Sequence, residues 1–461
     1  MQSLALVGCV ALEATNVFLV TTIMPSVVKD IGGFSYYSMN TTMFVIASII
    51  GAAIAGRMAE RIGSKRILMI GLSVFAGATV IAALAPTMYI LILARTIEGF
   101  AGGILLSMAY VLIRQVFEER LWPRAVGLVS AMWGIATFSG PAVGGIFTEI
   151  GHWRWAFWSM LPFNALLVLL VLFWLPTPKA TPQSAENDAQ NALPVARLVL
   201  LTLSVLMVSA SSVLHQIWQQ AALIGLGVLC LAQLIRIDKH ATNPILPTGS
   251  YGRSAQRAIY ITMSLLALAS TIEIFAPYFF QIIQGHSPIY AGYLTTAMSA
   301  GWSFSALFGS GVSQRWGRRA IQFGPILMCV ALFSFAWVSQ QQHGVQHGLG
   351  LAGFVLNLIL IGMGIGLAWP HLLSTLFRVV PDSQGAIASS SVSTVQQYAM
   401  AIGSALAGLI VNTMTRGASE DVAAVSRAAF WTFVIFASLL LIAILSAHQT
   451  LRRTSTTTTS T

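Results

Sequence analysis

Charge is what this sequence most lacks. Only 8% of its 461 residues are Asp, Glu, Lys or Arg, whereas a soluble globular chain carries about a quarter. With 56% hydrophobic residues, so few charges exclude an ordinary water-facing surface and place the chain in lipid. Cysteine is scarce too. Cys9, Cys230 and Cys329 each fall inside an apolar run and form no C-x-x-C pair, so packing is expected of them rather than disulfides or metal ligation. No G-x-x-x-x-G-K-[ST] loop offers a phosphate cradle, and no H-E-x-x-H offers a zinc site. The scattered His residues make no nucleophile–base constellation, so an enzyme is not expected, and neither is a cofactor or a metal. A basic leader with a small-residue cleavage site is also missing; the first apolar run opens almost at Met1 and is long enough to span a bilayer.

What is present is a series of apolar runs near the spanning length. They lie near 4–28, 38–56, 67–85, 88–112, 125–148, 155–175, 198–214, 217–236, 259–281, 288–309, 321–339, 349–371, 386–412 and 428–447. Fourteen crossings return the C-terminus to the side of the N-terminus. The formal net charge of +10 raises the question of nucleic acid, and its distribution answers it. Nineteen of the 24 Lys and Arg residues fall in segments on one side, from Arg57, Arg61, Lys65 and Arg66 through to Arg452 and Arg453. Lys29, Arg154, Arg416 and Arg427 fall on the other, and Arg95 lies within a run. That bias is the positive-inside pattern: it makes both termini cytoplasmic and the basic charge topological. The expected partners are the bilayer, a small-molecule substrate and protons, with no nucleic acid, and the chain is expected to act as a monomer.

Polar gaps at 176–197 and 237–257 bracket two runs, giving an N-terminal six-helix bundle (1–175), linkers flanking an inserted two-helix hairpin (176–257, hairpin 198–236), a C-terminal six-helix bundle (258–447) and a low-complexity tail (448–461). An internal repeat supports the division. "GRMAERIGSKR" (56–66) and "SGVSQRWGRR" (310–319) align Gly63 with Gly317, Arg61 with Arg315 and Lys65 with Arg319, while Glu60 meets Gln314. Two six-span halves around a midplane site are a common transporter plan.

Charges inside apolar runs are the most informative residues. Glu13, Glu98 and Glu273 are the only carboxylates well inside them, and Arg95 is the only cation. An ionised side chain at bilayer centre costs at least ~2.5–3.5 kcal/mol, so such residues usually face a cavity and act. Loss of water favours the neutral carboxyl, which lets a proton bind and leave within one cycle. Glu13 and Glu273 lie near mid-depth of the first and ninth runs, which open the two halves, and are expected to bind protons and attract cations. Arg95 and Glu98 are three apart on one helix face and pair. Arg95 is expected to couple protonation to conformational change; for Glu98 a self-neutralised structural pair stays open. Asn16, Thr22, Met24, Trp133, Phe138, Phe275, Tyr278, Phe279, Gln281 and Trp302 are candidates to line a site where aromatic faces attract cations and Met adapts to shape. Taken singly, each is as well explained by packing or lipid contact. His371 beside Pro370 is either a proton relay or an interfacial polar residue.

Several stretches resemble a known family. "GRMAERIGSKR", with Gly56, Glu60, Arg61 and Gly63, is similar to the loop signature G-x-L-x-D-R-x-G-R-K of the major facilitator superfamily, with Glu60 at the Asp position. "LARTIEGFAGG" (93–103) resembles its fourth-span signature around Arg95, with Glu98 where Gln is usual. "GIATFSGPAVGG" (134–145), holding Gly134, Gly140, Pro141, Gly144 and Gly145, resembles its antiporter fifth-span signature. "HWRWAFWSMLPFN" (152–164) resembles the entry to the sixth span, and "LEATNVFLVTTIMP" (12–25) the first span, with Glu13 at its usual Asp. The resemblance is to the fourteen-span drug:proton antiporter family. It implies an all-α polytopic membrane protein of the major facilitator fold, with fourteen transmembrane helices, in a bacterial inner membrane. It implies proton-coupled export of hydrophobic, cationic compounds by alternating access. It also implies that Glu60 and Arg61 latch the cytoplasmic ends of the two halves. Small glycines and Pro141 would make the fifth span a close-packed, bent rocking seam. Export of a dedicated metabolite or siderophore, and proton symport of a small nutrient, stay open; a membrane receptor would have no need of titratable midplane acids.

Overall fold

A computed structural model describes residues 2–32, 37–175, 195–211, 214, 216–241, 244–285, 288–309, 311–340, 349–415 and 421–457. These hold fifteen α helices and no strand: α1 (Gln2–Ile31), α2 (Tyr37–Ile62), α3 (Ser64–Ala83), α4 (Met88–Val116), α5 (Trp122–Glu149), α6 (Arg154–Trp174), α7 (Val195–Ser211), α8 (Ile217–Lys239), α9 (Ala255–Ser270), α10 (Ala276–Gln284), α11 (Pro288–Gly309), α12 (Gln314–Ser339), α13 (Leu349–Val379), α14 (Gly385–Thr415) and α15 (Val422–Thr457). Eleven helical stretches are long and apolar enough to cross a membrane, and α2 and α7 carry shorter apolar stretches, Met43–Gly56 and Ala196–Val208. The chain is an all-helical, multi-pass membrane protein. The polar linker 176–194 and the tip of the tail lie outside the described residues.

The helix ends follow local chemistry. Thr87 and Ser254 cap α4 and α9 by accepting backbone N–H bonds from Ile90 and Arg257. Gly63 alone separates α2 from α3, at φ +89°, a conformation only glycine adopts cheaply, so the two helices meet at a one-residue turn.

Two compact units divide the chain. One comprises Met1–Leu198, His240–Pro247 and Pro381–Gln397; the other comprises Val199–Lys239, Thr248–Val380 and Tyr398–Thr461. In the first, α2 lies along α4, α3 along α4 and α6, and α1 along α5. The segment Pro381–Gln397, which runs into α14, is fastened to α2 and α4 in this unit: Arg114 pairs with Asp382 at 2.6 Å, and Gln397 Nε2 donates to Ser48 Oγ at 2.8 Å. In the second unit, α11 and α12 lie along α13, and α15 lies along α9 and α12.

Lipid gives helices no hydrophobic reason to associate, so backbone proximity must supply the contact. The two units solve this alike. A Cβ added at Gly99, Gly103 or Gly51 would fall on the backbone of Phe44, Ser48 or Phe100, pressing α2 onto α4. One at Gly362, Gly366 or Gly301 would fall on the backbone of Met298, Trp302 or Ile359, pressing α11 onto α13. Gly99 and Gly103, like Gly362 and Gly366, are four apart and share a helix face.

The ninth apolar run is not one helix. α9 ends at Ser270, residues Thr271–Ile274 form a 3-10 turn, and α10 begins at Ala276. Pro277 has no N–H to return to the Glu273 carbonyl, and Ser270 and Thr271 direct their hydroxyls to the carbonyls of Ala267 and Leu268. Glu273 therefore sits on a break and not on the regular mid-span helix expected.

Gly103→Val is expected to cost at least about 1–3 kcal/mol through overpacking against Ser48. Gly145→Ala meets nothing within 4 Å and should be neutral or stabilising by about 0.5–1 kcal/mol. Thermal unfolding of the detergent-solubilised variants checks both.

Candidate functional site

The buried charges of the first unit lie on α1 and α4. Asn16 stands one turn beyond Glu13 on α1; Glu98 stands one turn beyond Arg95 on α4. All four are buried, none more than 3% exposed. Arg95 Nη1 donates to Asn16 Oδ1 and to Glu98 Oε2. Its guanidinium lies 4.2 Å from the centroid of the Phe44 ring on α2, a cation–π contact. Thr79 Oγ1 on α3 donates to Glu98 Oε1 at 2.7 Å. Four helices thus converge on one guanidinium and the carboxylate beside it.

Glu13 differs from Glu98. Neither of its carboxyl oxygens has a hydrogen-bond partner among the described residues, and Asn16 Nδ2 and Arg95 Nε are unpartnered as well. Gly102 leaves room for its stem, since a Cβ there would stand 3.0 Å from Glu13 Cγ. Two carboxylates and one guanidinium leave the cluster one negative charge in excess when all are ionised.

The other predicted residues scatter. Met24 is buried, accepting from Asn40 Nδ2 at 2.8 Å. Trp133 meets Phe18 edge to face at 6.4 Å, with its indole N–H unpartnered, while Phe138 is 46% exposed and Thr22 bonds its own helix at the Phe18 carbonyl. In the second unit Ser299 Oγ donates to Glu273 Oε1 at 2.7 Å, and Trp302 follows one turn later on α11 with its indole N–H unpartnered. Phe279, which touches Phe275, packs into an aromatic cluster with Phe433 at 5.7 Å. The side chains of Tyr278, Gln281 and Pro141 lie outside the described residues. His371 is buried, its Nε2 3.1 Å from the Gly309 carbonyl. Thr79 and Phe44 were missed from sequence; a hydroxyl or a phenyl in an apolar run carries no distinguishing mark.

The model of the Major Facilitator Superfamily matches residues 6–404. The chain belongs to that superfamily. Among curated proteins it is similar to a probable multidrug-efflux transporter of Mycobacterium tuberculosis, 34% identical over 454 residues, which cover 98% of this chain and 95% of the relative. The multidrug transporter protein MdtP of Bacillus subtilis is 24% identical, covering 89% of this chain and 74% of that one. Among solved structures, the human organic anion transporter MFSD10 superposes with a TM-score of 0.73 at 14% identity, over 96% of this chain and 98% of that one. That likeness bears on the fold alone.

The superfamily motifs can now be placed. In α5 a Cβ on Gly140 would approach Leu19 N to 2.9 Å, and one on Gly144 would approach Leu19 O to 3.0 Å, so the helix they admit is α1, in the same unit. Gly134 is buried, but Gly145 meets nothing within 4 Å and admits no helix, contrary to expectation. In the repeat loop Gly56 is buried, Glu60 and Arg61 are exposed, and Lys65 Nζ donates to the Leu172 carbonyl at 2.7 Å. At the entry to α6, Trp153 Nε1 and Arg154 Nη1 both donate to Asp30 Oδ2, at 3.0 and 2.6 Å, while Arg154 Nη2 reaches the Ala85 carbonyl at 3.1 Å. This fastens the end of α1, the α3–α4 turn and the start of α6 together.

Hydrogen bonds from Arg154 and then from Trp153 hold the Asp30 carboxyl below its ordinary value. A lowered folded value means that the stabilisation is present above the unfolded pKa of about 3.9 and is lost as pH falls through the folded value. Asp30→Asn should unfold earlier than the parent at neutral pH, the difference closing as acid is added; a pH series of melting curves reads this. Arg95→Ala, which strands Glu98, should cost about 3–5 kcal/mol, and adding Glu98→Gln should recover part of it in the same unfolding assay.

Proposed function

We propose that this superfamily member is a proton-coupled exporter of hydrophobic, cationic drugs or toxic compounds, working by alternating access. The observation that carries the reading is Glu13, a carboxylate buried within an apolar span with neither oxygen bonded, in a cluster one negative charge from neutrality. Burying that charge unpaired is costly, and either a proton or a substrate cation removes the cost. Competition between the two for one carboxylate is the simplest basis for exchange. Unpartnered polar atoms on Asn16, Arg95 and Trp133 supply further bonding capacity in the same unit. The names of the relatives, multidrug-efflux transporters, agree with a broad apolar cargo.

Around this centre we assign fourteen spans: the eleven long apolar helices, the shorter apolar stretches of α2 and α7, and α11. With this assignment both termini are proposed to be cytoplasmic, which the Lys and Arg distribution supports, and the membrane is proposed to be a bacterial inner membrane. Glu60 and Arg61 are proposed to latch the cytoplasmic ends of the two halves, and Glu273, bonded to Ser299, is proposed as a second proton-binding group.

Proteoliposomes holding the purified chain and an internal pH dye test the reading. Adding a lipophilic dye cation should drive protons opposite to the cation's movement, and Glu13→Gln should abolish this while binding of a neutral apolar dye persists. Protons moving with the substrate, or an unchanged Glu13→Gln, would overturn the exchange mechanism.

A further inference from the structure

A cavity of about 520 Å³ opens in the second unit between the start of α9 and the end of α15. Arg253, Arg257 and Arg453 line it together with Ile261, Ile442 and Leu445, and among the described residues no Asp or Glu does. These arginines come from segments roughly 200 residues apart in sequence, so the fold gathers them. Arg453 Nη1 donates to the carbonyl of Ser254, the α9 cap, at 2.9 Å, and Ser446 Oγ donates to the Ala258 carbonyl at 2.8 Å, fixing the two walls together. The first turn of α9 contains no acid, so its positive helix end adds to the arginines. Ile442 and Leu445 are 52% and 65% exposed, an apolar strip running away from the charged mouth.

We propose that this cavity binds the phosphate headgroup of an anionic membrane phospholipid, whose acyl chains lie along Ile261, Ile442 and Leu445. Membrane orientation requires only that cations sit on the correct side; it does not require three of them to converge on one cavity with an apolar wall. A free phosphate would use the arginines and leave that wall unexplained. Basic pockets between spans, at the face carrying the anionic leaflet, are where such headgroups bind.

Native mass spectrometry of the full chain in detergent tests this with phosphatidylglycerol, phosphatidylcholine and inorganic phosphate. The wild type should retain phosphatidylglycerol about tenfold or more over phosphatidylcholine. R253Q/R257Q should lose that preference, whereas Arg452→Gln, a neighbouring cation outside the cavity, should keep it. Equal retention of both lipids by the wild type overturns the proposal, whether or not the double variant folds. So does an undiminished preference in a folded R253Q/R257Q, or displacement of the lipid by millimolar inorganic phosphate, which marks a free-anion site.

Discussion

The guanidinium of Arg95 is the constraint on which the first unit depends. A cation withdrawn from water inside a bundle must be compensated on all sides or it destabilises the helices that surround it. Here the compensation is divided: a carboxylate from the same helix, an amide oxygen from α1 and an aromatic face from α2. Thr79 then spends its hydroxyl on the Glu98 carboxylate and draws α3 into the same arrangement. Because α1, α2, α3 and α4 each supply one partner, none can shift far without uncovering charge. What the cluster leaves unbalanced is Glu13, and the imbalance is the part available for work.

Such a cluster is possible only because the backbones come close. Arg95 and Glu98 precede Gly99, Gly102 and Gly103 in one stretch of α4, so the residues that bring α2 and α1 within reach adjoin the residues that use the proximity. Gly99 and Gly103 press α2 onto α4 and carry Phe44 over Arg95; Gly102 makes space for Glu13. On the far side of α1, Gly140 and Gly144 hold α5. α1 is thus clamped between two helices rich in glycine, and its acid has no freedom to leave the cluster.

How much of this was legible follows from contrast. A charge within an apolar run stands out against its neighbours, and so Glu13, Arg95 and Glu98 were readable, as was the pairing of Arg95 with Glu98 by helical spacing. Phe44 and Thr79 resemble dozens of other residues in spans, and only tertiary packing selects them. The break at Glu273 was hidden for another reason: 259–281 reads as one run of spanning hydropathy, and hydropathy does not register a missing N–H. Pro277 carried the signal. Gly145 shows the opposite contrast, since a glycine counted in a motif has no close neighbour among the described residues. Phe279 lies in a packed aromatic cluster, and sequence alone does not show which rings a phenylalanine will meet.

The two carboxylates expected to act alike are built differently, and the difference has physical content. Glu13 stands on an unbroken helix, beside a cation, with both oxygens unbonded; Glu273 stands on a 3-10 turn, bonded to one hydroxyl. Near Glu13 a cation already sets the local potential, so an added proton or substrate changes a balance held by rigid partners. At Glu273 the helix ladder is already interrupted, and the turn can change its backbone angles without breaking a regular run of hydrogen bonds. At Glu13 the proposed proton would change the charge of a cluster whose other members are already bonded to one another. At Glu273 the proposed proton would compete with the Ser299 hydroxyl at a point where the helix is already interrupted. The proposed proton-binding roles of the two acids therefore rest on two different local designs, one set by a neighbouring cation and one by an interrupted helix.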